Sequence, residues 1–131
     1  MQMLNQLPAT PSHDISLATA VTMTTLYRNK REAILKEPYQ GKDTLPLSET
    51  FRAEAINAVL AVPGCAGVRL YYGMDENEKV HLIMVAVNDA NEDMLPLSQM
   101  LDEEDDDEDA PILEQAFRCP PVCPPPSPLN F

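Results

Sequence analysis

The fold depends on one stretch of chain, Gly64 to Asp89, which reads GCAGVRLYYGMDENEKVHLIMVAVND. Residues 67–74 and 79–88 are rich in β-branched, aromatic and long apolar side chains, a composition typical of β-strands. The polar, turn-prone run 75–78 lies between them and is short enough to join two antiparallel neighbours. This stretch therefore predicts a β-hairpin.

The second strand of the hairpin is apolar on both faces. Side chains alternate between the two faces of a strand, and a strand with one face in water alternates apolar with polar residues. Here both sets are apolar, so we expect both faces to be covered. One set comprises Val80, Leu82, Met84 and Ala86, and the other Ile83, Val85 and Val87.

The pairing of the two strands follows from the length of the loop between them. A four-residue loop, 75–78, pairs Leu70 with Ile83 and Arg69 with Met84. The predicted core face then contains Val68, Leu70, Tyr72, His81, Ile83, Val85 and Val87. The opposite face, with Arg69, Tyr71, Val80, Leu82, Met84 and Ala86, needs cover from the C-terminal segment or from another subunit. A shift of one residue would exchange these partners.

Two helices precede the hairpin. The first is predicted over about 14–36, with Ser12 or Asp14 as its N-cap, and the second over about 48–62, capped by Ser48. The second helix has the stronger apolar stripe and a short link to the hairpin, so it should pack on the core face. Residues 112–117 regain apolar character and predict a third strand or a short helix. Together these elements predict an α+β fold, a small antiparallel sheet with both helices on one face.

The length of 131 residues predicts a single domain. Within it we expect a loose N-terminal arm at 1–11, an acidic disordered loop at 102–110 and a proline-rich extended tail at 118–131. The net charge of −12 argues against nucleic acid and anionic membranes as partners. Much of that charge is local, because Asp102 to Asp109 are eight consecutive acids.

The sequence favours a cytoplasmic location. A signal peptide has a basic region followed by an apolar region, and the N-terminal segment MQMLNQLPATPSH does not show this pattern. No apolar run reaches the ~18 residues of a membrane span. Three cysteines, an odd number, also argue against the disulfide framework of a small secreted domain.

Cys119 and Cys123 stand in the sequence CPPVC and leave three alternatives open. They could bind zinc with Cys65, His81 or His13 as further ligands, form a local disulfide, or pack as two small apolar side chains, which is the favoured interpretation. A catalytic pair of Cys65 and His81 would need orienting groups that the sequence does not reveal. We therefore predict no catalytic residues and no cofactor, with zinc as the alternative.

Arg69 and Tyr71 form the polar element of an otherwise apolar face. They could hold an anionic ligand or the carboxylate of a protein partner, with the tyrosine ring stacked on the guanidinium. Equally, Arg69 could form an internal salt bridge with an acid from the tail, because buried arginines are nearly always paired.

Three motifs resemble those of a group of small uncharacterised bacterial proteins. The first reads ISLxxAxxxTxxYR, matched by Ile15, Ser16, Leu17, Ala20, Thr24, Tyr27 and Arg28. The second reads GCxGxRxYxG, matched by Gly64, Cys65, Gly67, Arg69, Tyr71 and Gly73. The third is the CPPxC tail, matched by Cys119, Pro120, Pro121 and Cys123. The resemblance covers most of the chain except the acidic run. It implies a single compact domain that includes the tail, and it transfers no function to this chain.

The sequence as a whole favours a non-enzymatic binding or assembly module that acts on a protein or a small anionic ligand. Arg28, Arg69 and Tyr71 are the candidate binding residues. Because a two-stranded hairpin alone is marginal in water, we expect a homodimer formed through the sheet or through the Arg69/Tyr71 face. The alternative is a cysteine-dependent protein, zinc-binding or redox, with Cys119, Cys123 and Cys65 as its candidate residues.

Overall fold

The structure is a computed structural model that describes residues 6–9, 12–96 and 110–130. It confirms the α+β class. The elements in this part of the chain, in order, are α1 (Leu17–Lys30), a 3₁₀ turn (Glu37–Tyr39), β1 (Ser48–Thr50), α2 (Ala53–Leu60), β2 (Gly67–Met74), β3 (Val80–Val87), β4 (Asp93–Met94) and β5 (Phe117–Cys119). The predicted acidic loop, at 102–109, lies outside the described residues.

The described residues group into two compact units. The first contains 6–9, 51–73, 82–96 and 110–116, and the second contains 12–50, 74–81 and 117–130. The two helices are divided between them. Helix α2 belongs with most of the β2–β3–β4 sheet, whereas α1 belongs with the small β1–β5 sheet.

The sheet of the first unit has the strand order β2-β3-β4. Strands β3 and β4 are antiparallel, with Ala86 opposite Met94 and Val87 opposite Asp93. The third strand of this sheet is thus β4, not the predicted segment near 112–117. From that segment Leu113 forms an isolated antiparallel bridge with Met84, while Phe117 begins β5.

The prediction that β3 is covered on both faces is confirmed. Met84 and Ala86 on one face are 6% and 0% exposed, and Val85 and Val87 on the other are each 2% exposed. Helix α2 covers the first face through Val59, which packs with Met84 and Ala86 in the core.

Part of the N-terminal arm is held against the first unit. The backbone N–H of Leu7 donates to the carbonyl of Asp89 at 3.1 Å. A Cβ added to Gly67 would lie 3.6 Å from the Val87 side chain and 3.7 Å from the Leu7 side chain, so the Leu7 side chain lies against Gly67. The expected loose arm is therefore tethered at Leu7.

The predicted register of the hairpin was wrong by one residue. The N–H of Asp75 donates to Lys79 O at 3.0 Å and the N–H of Glu78 donates to Asp75 O at 2.9 Å, so the loop has three residues instead of four. Glu78 adopts the left-handed conformation that this turn requires, with φ of 63°.

This shift exchanges the faces of β2. Arg69 contacts Asp93, which lies opposite Val87, so Arg69 shares the face of Val85 and Val87. By alternation, the apolar row of Val68, Leu70 and Tyr72 shares the face of Met84 and Ala86. Helix α2 thus packs on the face of β3 that carries Met84 and Ala86. The four-residue loop had predicted that the helix would pack on the opposite face.

Both helices are shorter than predicted, and their caps differ. Helix α1 begins after Ser16, whose hydroxyl accepts a hydrogen bond from Thr19 N at 3.0 Å. Ser12 accepts a bond from Asp14 N in a local turn, so neither predicted residue caps the helix. Helix α2 begins at Ala53, because the backbone of Ser48, its predicted cap, is paired in β1.

The small sheet of the second unit joins β1 to β5, with Ser48 opposite Cys119 and Glu49 opposite Arg118. Arg118 is 8% exposed. Its guanidinium donates to the carbonyls of Asp43, Thr44 and Val80 at 2.8, 3.1 and 3.0 Å. One charged side chain at the middle of β5 therefore ties this strand to two other segments of the unit.

The proline-rich tail begins as β5 and then makes two turns. The first is closed by Val122 N donating to Arg118 O at 2.8 Å, and the second by Asn130 N donating to Ser127 O at 3.2 Å. The Asn130 side chain also donates to Pro125 O at 3.0 Å. These bonds give the tail a defined path instead of a simple extended one.

Candidate functional site

Arg69 and Tyr71 lie in a closed polar cluster of the first unit. The Arg69 guanidinium donates to the Asp93 carboxylate at 2.5 Å and to the side-chain oxygen of Asn91. The Tyr71 hydroxyl donates to the other oxygen of Asp93. The carboxylate of Asp93 thus holds both predicted binding residues.

The turn between β3 and β4 positions this carboxylate. The Asn88 side chain accepts from Glu92 N at 3.0 Å, its backbone N–H donates to Glu92 O, and Asn91 N donates to Asn88 O. Asn91 adopts a φ of 66°, a left-handed conformation that asparagine tolerates better than most residues. This turn directs Asn91 and then Asp93 toward Arg69.

The cluster satisfies the charge of Arg69 internally. The hydrogen bond to Asp93 raises the pKa of Arg69 and also raises the pKa of Tyr71. Of the two sequence interpretations, the structure contains an internal salt bridge, with its acid supplied by β4 and not by the tail. An anionic ligand at Arg69 would compete with Asp93 for the guanidinium.

Arg28, the third candidate, lines a cavity of about 240 Å³ in the second unit. Its guanidinium donates to Leu129 O at 2.7 Å and to Thr25 Oγ at 3.3 Å. The walls are mostly apolar, with both sulfur-bearing residues of the tail among them: Tyr27, Leu47, Cys119, Cys123, Pro124 and Leu129. The cavity therefore brings Arg28 and the CPPVC segment together.

Cys119 and Cys123 are joined by a disulfide bond, so the favoured interpretation of two packed thiols was wrong. Zinc is bound by thiolates, and neither sulfur is a thiolate in this form. Cys65 is a free thiol in the first unit, where its Sγ lies 3.2 Å from Gly67 O and its side chain packs against the core of the unit. Among the described residues no group of three or more His, Cys, Asp and Glu side chains is arranged to hold a metal ion.

His81 contacts two carboxylates in the second unit. Its Nε2 lies 2.7 Å from Asp75 and its Nδ1 lies 3.3 Å from Glu49. The Glu49 side chain is only 1% exposed. The sequence placed His81 on the core face and did not reveal these two carboxylates, because Asp75 lies in the hairpin turn and Glu49 comes from β1.

The turn at Asp75 yields a prediction for low pH. The Asp75 carboxylate accepts from Asn77 N at 2.8 Å and Lys79 N at 3.1 Å. The bond from Lys79 N has the largest effect in lowering the pKa of Asp75, followed by the bond from His81, and Asn77 N adds a smaller effect in the same direction. The ionised Asp75 therefore stabilises the folded chain fully when the pH is above ~3.9, the ordinary pKa of an aspartate. This stabilisation is lost as the pH falls through the lower pKa that Asp75 has in the folded chain.

Carboxyl-carbon NMR should place the Asp75 midpoint below that of a free aspartate. His81→Phe should raise the titration midpoint of Asp75 only part of the way to that of a free aspartate, because the backbone donors Asn77 N and Lys79 N remain. A midpoint at or above the ordinary value in the unmodified chain would contradict this account of the turn.

Comparison with family models, curated proteins and solved structures returned no match for this chain. The resemblance to the bacterial group therefore stays a prediction. Within the described ranges, no helix combines the length and apolar character that crossing a membrane requires. The cytoplasmic location also stays a prediction.

Proposed function

We propose that this protein is a non-enzymatic assembly module that forms a homodimer by pairing β2 of one copy with β2 of a second copy. The observation that carries the proposal is the apolar row on β2, a strand at the end of its sheet. In the part of the chain that the structure describes, β3 is the one strand that pairs with β2.

The apolar row is unusually open to solvent. Val68 is 41% exposed, Leu70 44% and Tyr72 82%. These residues share the face on which α2 covers Met84 and Ala86, but α2 leaves the outer strand open. Long, apolar edge strands favour association with another chain, and monomeric proteins usually protect them with charges, prolines or bulges. The row Val68, Leu70 and Tyr72 contains neither charge nor proline.

The backbone of β2 is suited to the same contact. Asp75 N bonds across the hairpin to Lys79, and alternate residues of an antiparallel strand bond to the same neighbour. Hence the N–H and C=O groups of Val68, Leu70 and Tyr72 point toward the open edge. A two-fold axis at Leu70 would place Val68 opposite Tyr72 of the second copy and Arg69 opposite its Tyr71.

This arrangement favours a protein partner over a small anion. The charge of Arg69 is already balanced by Asp93, whereas the apolar row is 41–82% exposed and, among the described strands, only β3 pairs with β2. A second copy carries the same apolar row and the same open strand edge. In an antiparallel pairing each copy matches the other, as a closed two-fold contact requires.

Leu70→Lys should convert the dimer to a monomer. Each copy contributes one substituted residue to the two-fold contact, so two lysine charges would face each other at its centre. We therefore expect the dissociation constant to rise at least about 100-fold. Sedimentation velocity and light scattering at micromolar concentration would measure this change. Met23→Lys is the matched control, because Met23 is 60% exposed on α1 and lies outside the contact. A monomeric unmodified chain, or a Leu70→Lys dimer of unchanged affinity, would refute the proposal.

Cross-linking tests the register of the same contact. In a Cys65→Ser background, Leu70→Cys should form an intermolecular disulfide under mild oxidation, because the two-fold axis brings Leu70 against its own copy. Tyr72→Cys is more exposed but faces Val68 of the second copy, so it should cross-link poorly. Equal yields would exclude the two-fold axis at Leu70.

A further inference from the structure

Beyond assembly, we propose that the Cys119–Cys123 disulfide is a thiol–disulfide exchange centre that oxidises a dithiol partner, with Cys123 as the sulfur that the partner attacks. The proposal rests on three features of the second unit: the unequal exposure of the two cysteines, the cavity beside them and the charge of the cavity wall.

The two cysteines differ in their access to solvent. Cys119 is 4% exposed, and its carbonyl accepts a hydrogen bond from Leu47 N at 2.8 Å within the small sheet. Cys123 is exposed and follows the turn that leaves this sheet. An incoming thiolate can therefore approach Cys123, whereas Cys119 is placed as the leaving sulfur.

The cavity of about 240 Å³ gives a partner somewhere to bind next to this bond. Both cysteines line it, together with Tyr27, Leu47, Pro126 and Leu129. A mostly apolar concave wall of this kind binds apolar side chains. We infer that the partner is a peptide or protein whose reactive cysteine is flanked by an apolar residue.

The cavity wall also carries positive charge. Arg28 lines the cavity together with Cys119 and Cys123, and none of the described residues that line it is acidic. A nearby guanidinium favours the thiolate form of a cysteine. The same charge therefore promotes both the attacking thiolate and the departure of Cys119.

The exchange balances in two steps. The partner thiolate attacks Cys123 Sγ, a mixed disulfide forms, and the Cys119–Cys123 bond breaks with Cys119 leaving as a thiolate. The second thiol of the partner, once deprotonated, attacks the partner sulfur of the mixed disulfide and releases Cys123 as a thiolate. The partner loses two electrons as it becomes a disulfide, and Cys119 and Cys123 gain them.

The first test compares the folded protein with a peptide of the same local sequence. The probe is a short dithiol peptide with an apolar residue beside its reactive cysteine, and the control is the isolated oxidised segment 116–127. We expect the full chain to be reduced at least ten times faster than the control peptide. Equal or slower reduction of the full chain would show a bond that only fastens the tail, and would overturn the proposal without affecting the dimer.

The second test identifies the attacked sulfur. Mass spectrometry after incubation with oxidised glutathione should find rapid modification of Cys123 in the Cys119→Ser variant and at least tenfold slower modification of Cys119 in the Cys123→Ser variant. Arg28→Gln should slow the reduction of the unmodified disulfide several-fold, whereas Lys30→Gln, on the same helix turn, should leave it unchanged. Equal modification of the two cysteines would overturn the assignment. If the single-cysteine variants fail to fold, the comparison with the control peptide still decides the proposal.

Discussion

Replacing Arg118 with methionine should lower the free energy of unfolding by about 3 kcal/mol, since buried carbonyls left without a donor cost ~1–3 kcal/mol each. Arg118 is 8% exposed and donates to three backbone carbonyls, those of Asp43, Thr44 and Val80. The carbonyl of Thr44 keeps a second donor in Val80 N. The other two would lose the bonds from Arg118, and methionine fills much of the arginine volume without replacing them.

Two further variants separate this effect from a general loss of charge. Arg118→Lys should be intermediate, because one ammonium group cannot reproduce the fork of a guanidinium. Arg52→Met should change stability by less than about 0.5 kcal/mol, because an exposed ion pair contributes little. The Arg52 side chain is 72% exposed, and its salt bridge to Glu54 lies on the surface. Urea unfolding followed by circular dichroism measures all three, and equal losses for Arg118→Met and Arg52→Met would contradict the role given to Arg118.

Met84→Ala should destabilise the first unit by about 2–5 kcal/mol, the usual cost of truncating a buried methionine and leaving a cavity. Met84 is 6% exposed and packs in the core with Val59 and Ala86. Its backbone bonds to Leu113 remain available in the variant, so the loss should come from packing alone.

The matched control is Met23→Ala, which removes the same atoms from a residue that is 60% exposed. It should change the free energy of unfolding by less than about 0.5 kcal/mol. Met84→Leu, which conserves volume, should cost less than about 1.5 kcal/mol. A loss from Met84→Ala no larger than that from Met23→Ala would show that α2 does not bury this face in solution.

Much of the first unit could be predicted from the sequence, because its central strand carries a local and unambiguous pattern. The apolar run Leu82 to Val87 predicts both a strand and cover on its two faces. The partner of each face was harder to predict. It depends on whether the loop has three or four residues, and the side chain of Asp75 decides this by bonding to Asn77 N and Lys79 N.

The contacts that sequence reasoning missed join distant segments. Ser48 has the composition of an N-cap, but its strand pairs with a segment about seventy residues later, where Cys119 lies opposite it. Arg69 was recognised as needing an acid, yet Asp93 was not identified, because a two-residue strand leaves almost no periodic pattern. The asparagine-rich turn before Asp93 is the signal that could have located it.

The candidate site was predictable in composition and not in arrangement. Arg28 and the CPPVC segment were each identified from the sequence, but nothing in their spacing places them around one cavity. That proximity depends on the hydrogen-bonded turns of the tail. The hydrogen bond from Arg28 to Leu129 O joins residues 101 positions apart and has no local sequence signature.

The tight closure at Asp75 limits how this protein can vary among relatives. Lengthening the connection 76–78 by one residue would turn Leu70 toward Asp93 and Arg69 toward Val59. The charge of Arg69 would then face the apolar core. Lengthening it by two would restore every orientation. Natural insertions at this tip should therefore come in even numbers, and odd ones should occur only with a compensating bulge elsewhere in the hairpin.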